Sequence, residues 1–189
     1  MSCPVCARST LRCHAITPKT SNDSSTPVAV AGVTGAVQIA LGDAYTCALL
    51  NNGGVECWGT NTFGELGDGS TTASKSPVPV SGLGTGVRAV SAGDATTCAV
   101  LVSTQVSCWG YNGDGELGNG SIGGQSDTPV MVSGGSFLTD GTSISLAMSQ
   151  TTCVLDSTEA AECWGYNGDG EVGDGTTTST GTPAVVQGL

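Results

Sequence analysis

The chain has 189 residues, which provides for one domain of ordinary size and argues against a two-domain enzyme. Its 5 basic residues stand against 16 acidic ones, and the formal net charge of −11 disfavours nucleic acid and membrane surfaces as partners, because both are anionic. With 30 glycines and only 4% aromatic residues, the chain has few large side chains for a core, so its nine cysteines become candidates for added stability.

Residues 1–26 are predicted to form a flexible tail, because Ser and Thr dominate their second half and no apolar stretch typical of a secretory signal is present. The tail holds Cys3, Cys6 and Cys13. Together with His14 they offer four soft ligands for zinc, but their spacing fits no standard zinc finger. We therefore favour tail thiols that cross-link to a neighbouring molecule, and the odd total of nine cysteines leaves at least one without a partner inside the chain.

Residues 27–189 repeat one pattern three times, in units 27–76, 77–128 and 129–182. Each unit contains short runs of Val, Leu, Ile and Thr between clusters of Gly, Asn, Asp and Ser, a pattern that predicts short β-strands and an all-β fold. Each unit opens on a Pro-Val stretch of strand composition. This stretch occurs once more in residues 183–189, where it predicts an extra terminal strand that starts a fourth unit.

Each unit carries two cysteines that enclose nine residues with a turn at the centre. In the first unit the turn falls at Asn52, and Gly53 supplies a residue that tolerates a positive φ. The two cysteines then face each other across a hairpin, where opposed Cα atoms lie about 4.5 Å apart and a disulfide can form. The alternative is six buried thiols that pack between sheets. The predicted disulfides join Cys47 to Cys57, Cys98 to Cys108, and Cys153 to Cys163.

The three units share a run of the form Cys-Ala-Leu, then Val-x-Cys-Trp-Gly-x-Asn-x-x-Gly-x-Leu-Gly-Asp-Gly, then Pro-Val-x-Val-x-Gly, with small variations. This run resembles the repeat of the regulator of chromosome condensation family in its Cys-Trp-Gly variety. The resemblance covers residues 27–189 and implies a β-propeller in which each repeat contributes a four-stranded blade. Two departures are present: Met148-Ser149 replaces the Gly-Asp pair of the other units, and Glu stands where the family usually has Gln.

Three blades are too few to close a ring, because propellers use about four to eight blades. The open strand edges of such an arc recruit another chain, so we expect the terminal strand to serve in assembly. Three outcomes stay open: two chains close a six-bladed ring, many chains join head to tail into a filament, or the chain is part of a longer array. The predicted edge strand contains Pro183, Ala184, Val185 and Val186, and the predicted core between blades contains Trp58, Trp109 and Trp164.

Acidic and amide side chains alternate with glycines in the loops that follow the tryptophans of the second and third units. Alternating oxygen ligands in a glycine-rich loop can bind calcium, although the full twelve-residue calcium loop is missing. The alternative, which we favour, is that these side chains cap turns by hydrogen bonding without a metal. The candidate calcium ligands are Asn112, Asp114, Glu116, Asn167, Asp169 and Glu171.

Paired hairpin cysteines, few lysines and two glycosylation sequons, at Asn22 and Asn119, predict an extracellular or cell-surface protein, although no secretory signal is visible. A single histidine provides no Ser/His/Asp or Cys/His set, so we expect no enzymatic activity. The preferred function is a structural or interaction repeat protein that binds itself or another protein. The resemblance implies two alternatives: a guanine-nucleotide exchange factor for a small GTPase, and a propeller rim that inhibits or binds a secreted protein.

Overall fold

A computed structural model describes residues 12–13, 28–134, 141–146, 150–156 and 160–188 of the chain. Every regular element in these ranges is a β-strand, so the fold is all-β, as predicted. No helix in the described part of the chain is long and apolar enough to cross a membrane. The strands are β1 (Arg12–Cys13), β2 (Val28–Ala29), β3 (Ala36–Leu41), β4 (Tyr45–Leu50), β5 (Val55–Gly59), β6 (Ser74–Pro79), β7 (Val87–Ala92), β8 (Thr96–Leu101), β9 (Val106–Tyr111), β10 (Gln125–Met131), β11 (Gly141–Leu146), β12 (Thr151–Asp156), β13 (Ala161–Gly165) and β14 (Thr180–Val185).

The strands from β3 onward form three four-stranded antiparallel sheets that follow one another along the chain. The strand orders are β3-β4-β5-β6, β7-β8-β9-β10 and β11-β12-β13-β14, while β1 pairs with β2 separately. The first strand of each sheet lies beside the first strand of the next, because β3 contacts β7 and β7 contacts β11. This is the arrangement of consecutive propeller blades, with β3, β7 and β11 innermost and β6, β10 and β14 outermost.

A tight turn sets the register of the central hairpin in each of the first two sheets. Between β4 and β5, the N–H of Gly53 donates to the carbonyl oxygen of Leu50 over 2.9 Å, and Gly53 has a φ of +80°. Thr104 takes the place of Gly53 in the second sheet and keeps a positive φ of +70°. The resulting register places Cys47 opposite Cys57, and the two cysteines of the second and third sheets are opposed in the same way.

The sheets are offset from the sequence units. The Pro-Val stretch that opens the second unit, at residues 77–79, belongs to β6, the outermost strand of the first sheet. Proline suits this position because the outer side of an edge strand has no ladder to complete. The stretch at residues 183–185 likewise belongs to β14 and pairs with β13. The terminal strand therefore completes the third sheet, whereas the sequence pattern predicted the start of a fourth unit.

The first copy of the Pro-Val stretch has no four-stranded sheet of its own. Val28 and Ala29 form β2, which pairs only with β1 among the strands that the structure describes. The chain therefore carries four outer-strand sequences for three sheets. The division of residues 27–189 into repeat units that act as one domain, with residues 1–26 as a separate tail, stays a prediction.

Candidate functional site

Each sheet has two faces of different composition, because successive residues of a strand point to opposite sides. In β5, β9 and β13 a cysteine is followed directly by a tryptophan, so one face carries the cysteine pair and the opposite face carries the tryptophan. We call these the cysteine face and the tryptophan face. The cysteine face of the first sheet packs against the tryptophan face of the second, and the cysteine face of the second packs against the tryptophan face of the third.

Both contacts between sheets are apolar and closed to solvent. Trp109 and Trp164 are fully buried in them, whereas Trp58 on the first sheet is only partly buried. The contact between the first and second sheets encloses Leu49, Val55, Leu66, Val80, Ala99 and Trp109. The contact between the second and third sheets encloses Val100, Val106, Leu117, Val132, Val154 and Trp164. The same positions of the repeat thus meet in both contacts.

One polar arrangement recurs in both contacts. The indole Nε1 of Trp109 donates to the backbone carbonyl oxygen of Glu65 over 2.8 Å, and the hydroxyl of Thr97 donates to the same oxygen over 3.2 Å. On the next sheet, Trp164 Nε1 donates to the carbonyl oxygen of Glu116 over 2.8 Å, and a threonine hydroxyl again joins it. We call this arrangement, a tryptophan and a threonine of one sheet on a glutamate carbonyl of the preceding sheet, the tryptophan lock.

Glycine keeps room for the indole in each lock. A Cβ atom on Gly67 would lie 2.7 Å from Nε1 of Trp109, and one on Gly118 would lie 2.6 Å from Nε1 of Trp164. Both glycines also have positive φ angles, of +66° and +63°. Sequence reasoning did not single out these glycines or the lock threonines, although a Thr-Cys pair recurs in every unit and is the pattern that marks the threonines.

The loops that supply the glutamate carbonyl are built by their own amide side chains. In the second sheet, Oδ1 of Asn112 accepts the N–H of Leu117 over 3.0 Å, and Nδ2 donates to the carbonyl oxygens of Ser121 and Gly123 over 3.3 Å and 3.2 Å. Asn61 and Asn167 make the same set of hydrogen bonds in the other two loops. These side chains therefore hold the loop in shape and present its glutamate carbonyl to the next sheet.

The predicted calcium ligands take part in this turn chemistry. The Glu116 carboxylate accepts the N–H of Asp114, and the Glu171 carboxylate accepts the N–H of Asp169, each over 2.9 Å. The described ranges contain no group of three or more His, Cys, Asp or Glu side chains that could hold a metal ion. The contacts are those of the capping alternative, and the calcium site stays a prediction that none of these contacts supports.

Glu116 lies fully buried where the second and third sheets meet. Its Oε1 atom is buried and has no hydrogen-bond partner. Burial raises the pKa of the Glu116 carboxyl to about 7. Burial also raises the pKa of Glu65, the corresponding residue between the first and second sheets. Both contacts therefore oppose the charged form of the glutamate that they enclose.

The predicted cysteine pairs lie within the sheets at bonding distance. The sulfur atoms of Cys47 and Cys57 are 2.12 Å apart. The distances are 2.09 Å for the pair in the second sheet and 2.13 Å for the pair in the third. In the first two sheets each pair is covered by the following sheet. The third pair, Cys153 and Cys163, lies on a cysteine face that no further sheet of the described chain covers.

The first and third sheets each have one face that no other described sheet covers, whereas the equivalent faces inside the arc are covered by a neighbouring sheet. Leu155 on the third cysteine face is 41% exposed, whereas the corresponding Leu49 is 4% exposed and Val100 is fully buried. At the other end, Trp58 lies on a tryptophan face that is covered only in part, by the segment that contains Val30 and Val33. Cys163 and Val172 on the third sheet are buried, so the third cysteine face is open at Leu155 and not over its whole area. The candidate functional site is this pair of partly open faces.

The remaining predicted residues are the glycosylation sequons and the tail cysteines. Asn22, Cys3 and Cys6 fall outside the described residues, as does the Met148-Ser149 departure. The backbone of Cys13 belongs to β1. Asn119 is partly exposed in a loop, where its Oδ1 accepts the N–H of Ser121 over 3.0 Å.

The repeats match a known family. A profile described as Regulator of chromosome condensation (RCC1) repeat matches residues 52–100, and a second RCC1 repeat profile matches residues 36–65. Human HERC2, an E3 ubiquitin-protein ligase, is 34% identical to the chain over 151 residues, which make up 78% of this chain and 3% of HERC2. The chain belongs to the RCC1 repeat family.

Two solved structures share the fold of this RCC1-family chain. Human WBSCR16 matches with a TM-score of 0.76 and 23% identity, over 90% of this chain and 45% of that one. Prp20p from Saccharomyces cerevisiae matches with a TM-score of 0.75 and 17% identity, over 86% of this chain and 40% of that one. The chain thus spans less than half the length of either RCC1-type propeller, and its three sheets are propeller blades.

Proposed function

We propose that the chain is a non-enzymatic interaction protein that works outside the cell and assembles with copies of itself, through its open blade faces, into a ring or a filament. The family supports the interaction part of the proposal. The RCC1-type propeller Prp20p was crystallised in a study of its binding to Gsp1p and histones. At 17% identity that likeness carries the fold alone, so it does not favour an exchange-factor activity for this chain.

The observation that carries the proposal is the exposure of apolar surface at one end of the arc. Leu155 is 41% exposed at a position where Leu49 and Val100 are buried by the following sheet. Apolar area that is closed twice within one molecule and open a third time favours a partner that closes it. A second copy of the chain brings a face of the required composition, because its first sheet offers the tryptophan face that the third cysteine face lacks.

The cysteine pairs support the extracellular part of the proposal. Three pairs at bonding distance, each inside one hairpin, are typical of proteins that fold in an oxidising environment. The carboxylates of the repeated loops support a non-enzymatic role, since Glu116 and Glu171 are engaged with backbone N–H groups of their own loops. Repetition of the same contact in each blade is typical of a structural part.

Light scattering under non-reducing conditions, over a hundredfold range of concentration, tests the proposal. A ring of two chains gives a discrete species of twice the 18.6 kDa chain mass, and a filament gives a mass that grows with concentration. The free thiols are alkylated first, so that cross-links through tail cysteines do not contribute. A mass of one chain at every concentration contradicts the proposal.

A further inference from the structure

We infer that two copies of the chain join by a third tryptophan lock, in which Trp58 of one copy donates its indole N–H to the backbone carbonyl oxygen of Glu171 in the other. This inference rests on the proposed function and gives it a specific interface. The tryptophan face of the first sheet is the donor side, and the cysteine face of the third sheet is the acceptor side. Such a contact is heterologous, because the two copies use different surfaces.

The acceptor side is already formed in the single chain. Oδ1 of Asn167 accepts the N–H of Val172 over 2.9 Å, as the corresponding asparagines do in the two loops that carry a lock. Val172 is fully buried, like Leu66 and Leu117 in those loops. Among the described residues, no side chain donates a hydrogen bond to the carbonyl oxygen of Glu171, whereas the equivalent oxygens of the other loops each accept two. The carbonyl is thus held in place by its loop and has no side-chain donor within the described ranges.

Room for an incoming indole is also present. A Cβ atom on Gly173 would meet no indole, and its nearest neighbours would be atoms of Val186 at 3.0 Å and beyond. In the two closed contacts the same Cβ position lies within 2.7 Å of a tryptophan Nε1. The φ of Gly173 is +75°, close to the φ angles of the two lock glycines. The third loop therefore has the backbone and the space of a lock without its tryptophan.

The donor side is equally prepared. Thr46 is opposite Trp58 across the β4–β5 hairpin, as Thr97 is opposite Trp109 in the second sheet. Trp58 is only partly buried, and its Nε1 makes no hydrogen bond to any described residue. Docking on the third sheet of another copy gives this N–H and the Thr46 hydroxyl the acceptor that their counterparts have.

Docking brings together two equivalent chain segments, one from each copy, that would occupy the same place. On the third sheet, the N–H groups of Val186 and Gln187 donate to the carbonyl oxygens of Ala161 and Gly173, over 3.0 Å and 2.8 Å. Val30 of the incoming copy corresponds in sequence to Val186, because both follow an outer-strand stretch. The two segments compete for one place, so one of them has to leave before the faces close. We therefore expect association to be slow, and mixtures are held until their mass is constant.

Two variants test the lock, one on each side. Trp58→Phe keeps an aromatic ring and removes the N–H donor, and Gly173→Ala puts a methyl group where the indole would lie. Each variant is expected to weaken self-association roughly tenfold, because a buried carbonyl loses its donor or the indole loses its space. Gly175→Ala is the matched control, since Gly175 lies in the same loop with a φ of +85° and has no counterpart in contact with an indole.

Mixing the two variants tests whether the contact joins the donor side of one copy to the acceptor side of another. The Gly173→Ala chain retains Trp58, and the Trp58→Phe chain retains an intact Gly173 loop, so the mixture restores one lock per pair. Light scattering is expected to show pairs of twice the chain mass and no longer assemblies. A mixture that behaves like the separate variants overturns the inference. In a heterologous contact, the intact donor side of one variant has to bind the intact acceptor side of the other.

Tryptophan fluorescence with acrylamide as quencher gives an independent readout. Trp58 is the one tryptophan that is not fully buried in the single chain, so it supplies the quenchable signal at low concentration. Assembly is expected to remove that quenching. Wild-type protein that assembles while Trp58 stays quenchable, or variants that assemble like wild type, overturn the lock and leave the proposed function standing. Wild-type protein that stays monomeric overturns both.

Discussion

Glu116 is a residue of the repeat whose charged form lowers the stability of the folded protein. Its carboxyl is buried, with one oxygen accepting the N–H of Asp114 and the other without a hydrogen-bond partner. Burial raises its pKa to about 7, so the folded protein binds a proton more tightly there than the unfolded chain does. The contribution of Glu116 to the stability of the folded protein therefore falls as the pH rises from about 4.5 to about 7, and then levels off.

Glu116→Gln removes the charge and keeps the shape. We expect the variant to be more stable than wild type by up to about 3 kcal/mol above pH 7.5, with the difference disappearing near pH 4.5. Urea unfolding at several pH values measures this. The matched control is Glu171→Gln at a concentration where the chain is monomeric, because Glu171 has the same place in its loop and no following sheet over it. A gain in stability of Glu116→Gln that is equal at all pH values contradicts a raised pKa of Glu116 as its cause.

At the scale of single residues, sequence reasoning named the asparagines, carboxylates and tryptophans of the repeat and favoured turn capping and a core between blades, but it did not identify the atoms that they contact. The spacing of Asn112 and Glu116 is compatible with metal binding and with turn capping, because both uses need oxygen atoms in a glycine-rich loop. Hydrogen bonds to the backbone of the same loop distinguish the two, and a spacing pattern does not contain them. The lock escaped prediction because its acceptor is a backbone carbonyl, which every residue has.

The hairpin is the element that the sequence specifies most fully. A turn of fixed length and a two-residue period place Cys47 opposite Cys57 without any long-range information. The outer strand is different, since nothing local decides whether a Pro-Val stretch pairs with the strand before it or the strand after it. The structure pairs it with the preceding hairpin, as in β6 and β14. The boundary of a sheet is thus a tertiary property, and the sequence unit does not reveal it.

The oxidation state of the cysteine pairs in these hairpins can be measured directly. If all three pairs are disulfides, at most three of the nine cysteines react with a thiol reagent in unfolded, non-reduced protein, and fewer react if tail cysteines are cross-linked. Reduction is expected to expose all nine and to lower the stability of the fold, because each bridge restricts the unfolded chain. Alkylation followed by intact-mass measurement counts the thiols. Nine reactive thiols before reduction would remove the argument for an oxidising environment.

At the scale of the whole molecule, charge opposes the assembly that the open faces favour. Each chain carries a formal net charge of −11, so two copies repel each other at long range. Salt shortens the screening length from about 30 Å at 0.01 M to about 8 Å at 0.15 M, while an apolar contact does not weaken over this range. We expect self-association to strengthen several-fold between these salt concentrations, as measured by sedimentation. Association that weakens with salt would instead indicate an interface held by ion pairs.

Each cysteine pair also has a mechanical meaning, because it closes a loop inside one blade and does not bridge two blades. Under tension applied to the two ends of one chain, the blades can separate and unfold one after another, because the backbone links them but none of these three disulfides does. In an oxidised blade the disulfide prevents the ten-residue segment between the two cysteines from extending, which removes about 35 Å from the length of the unfolded blade. Oxidation would therefore set how far each blade can lengthen as well as how firmly it is folded.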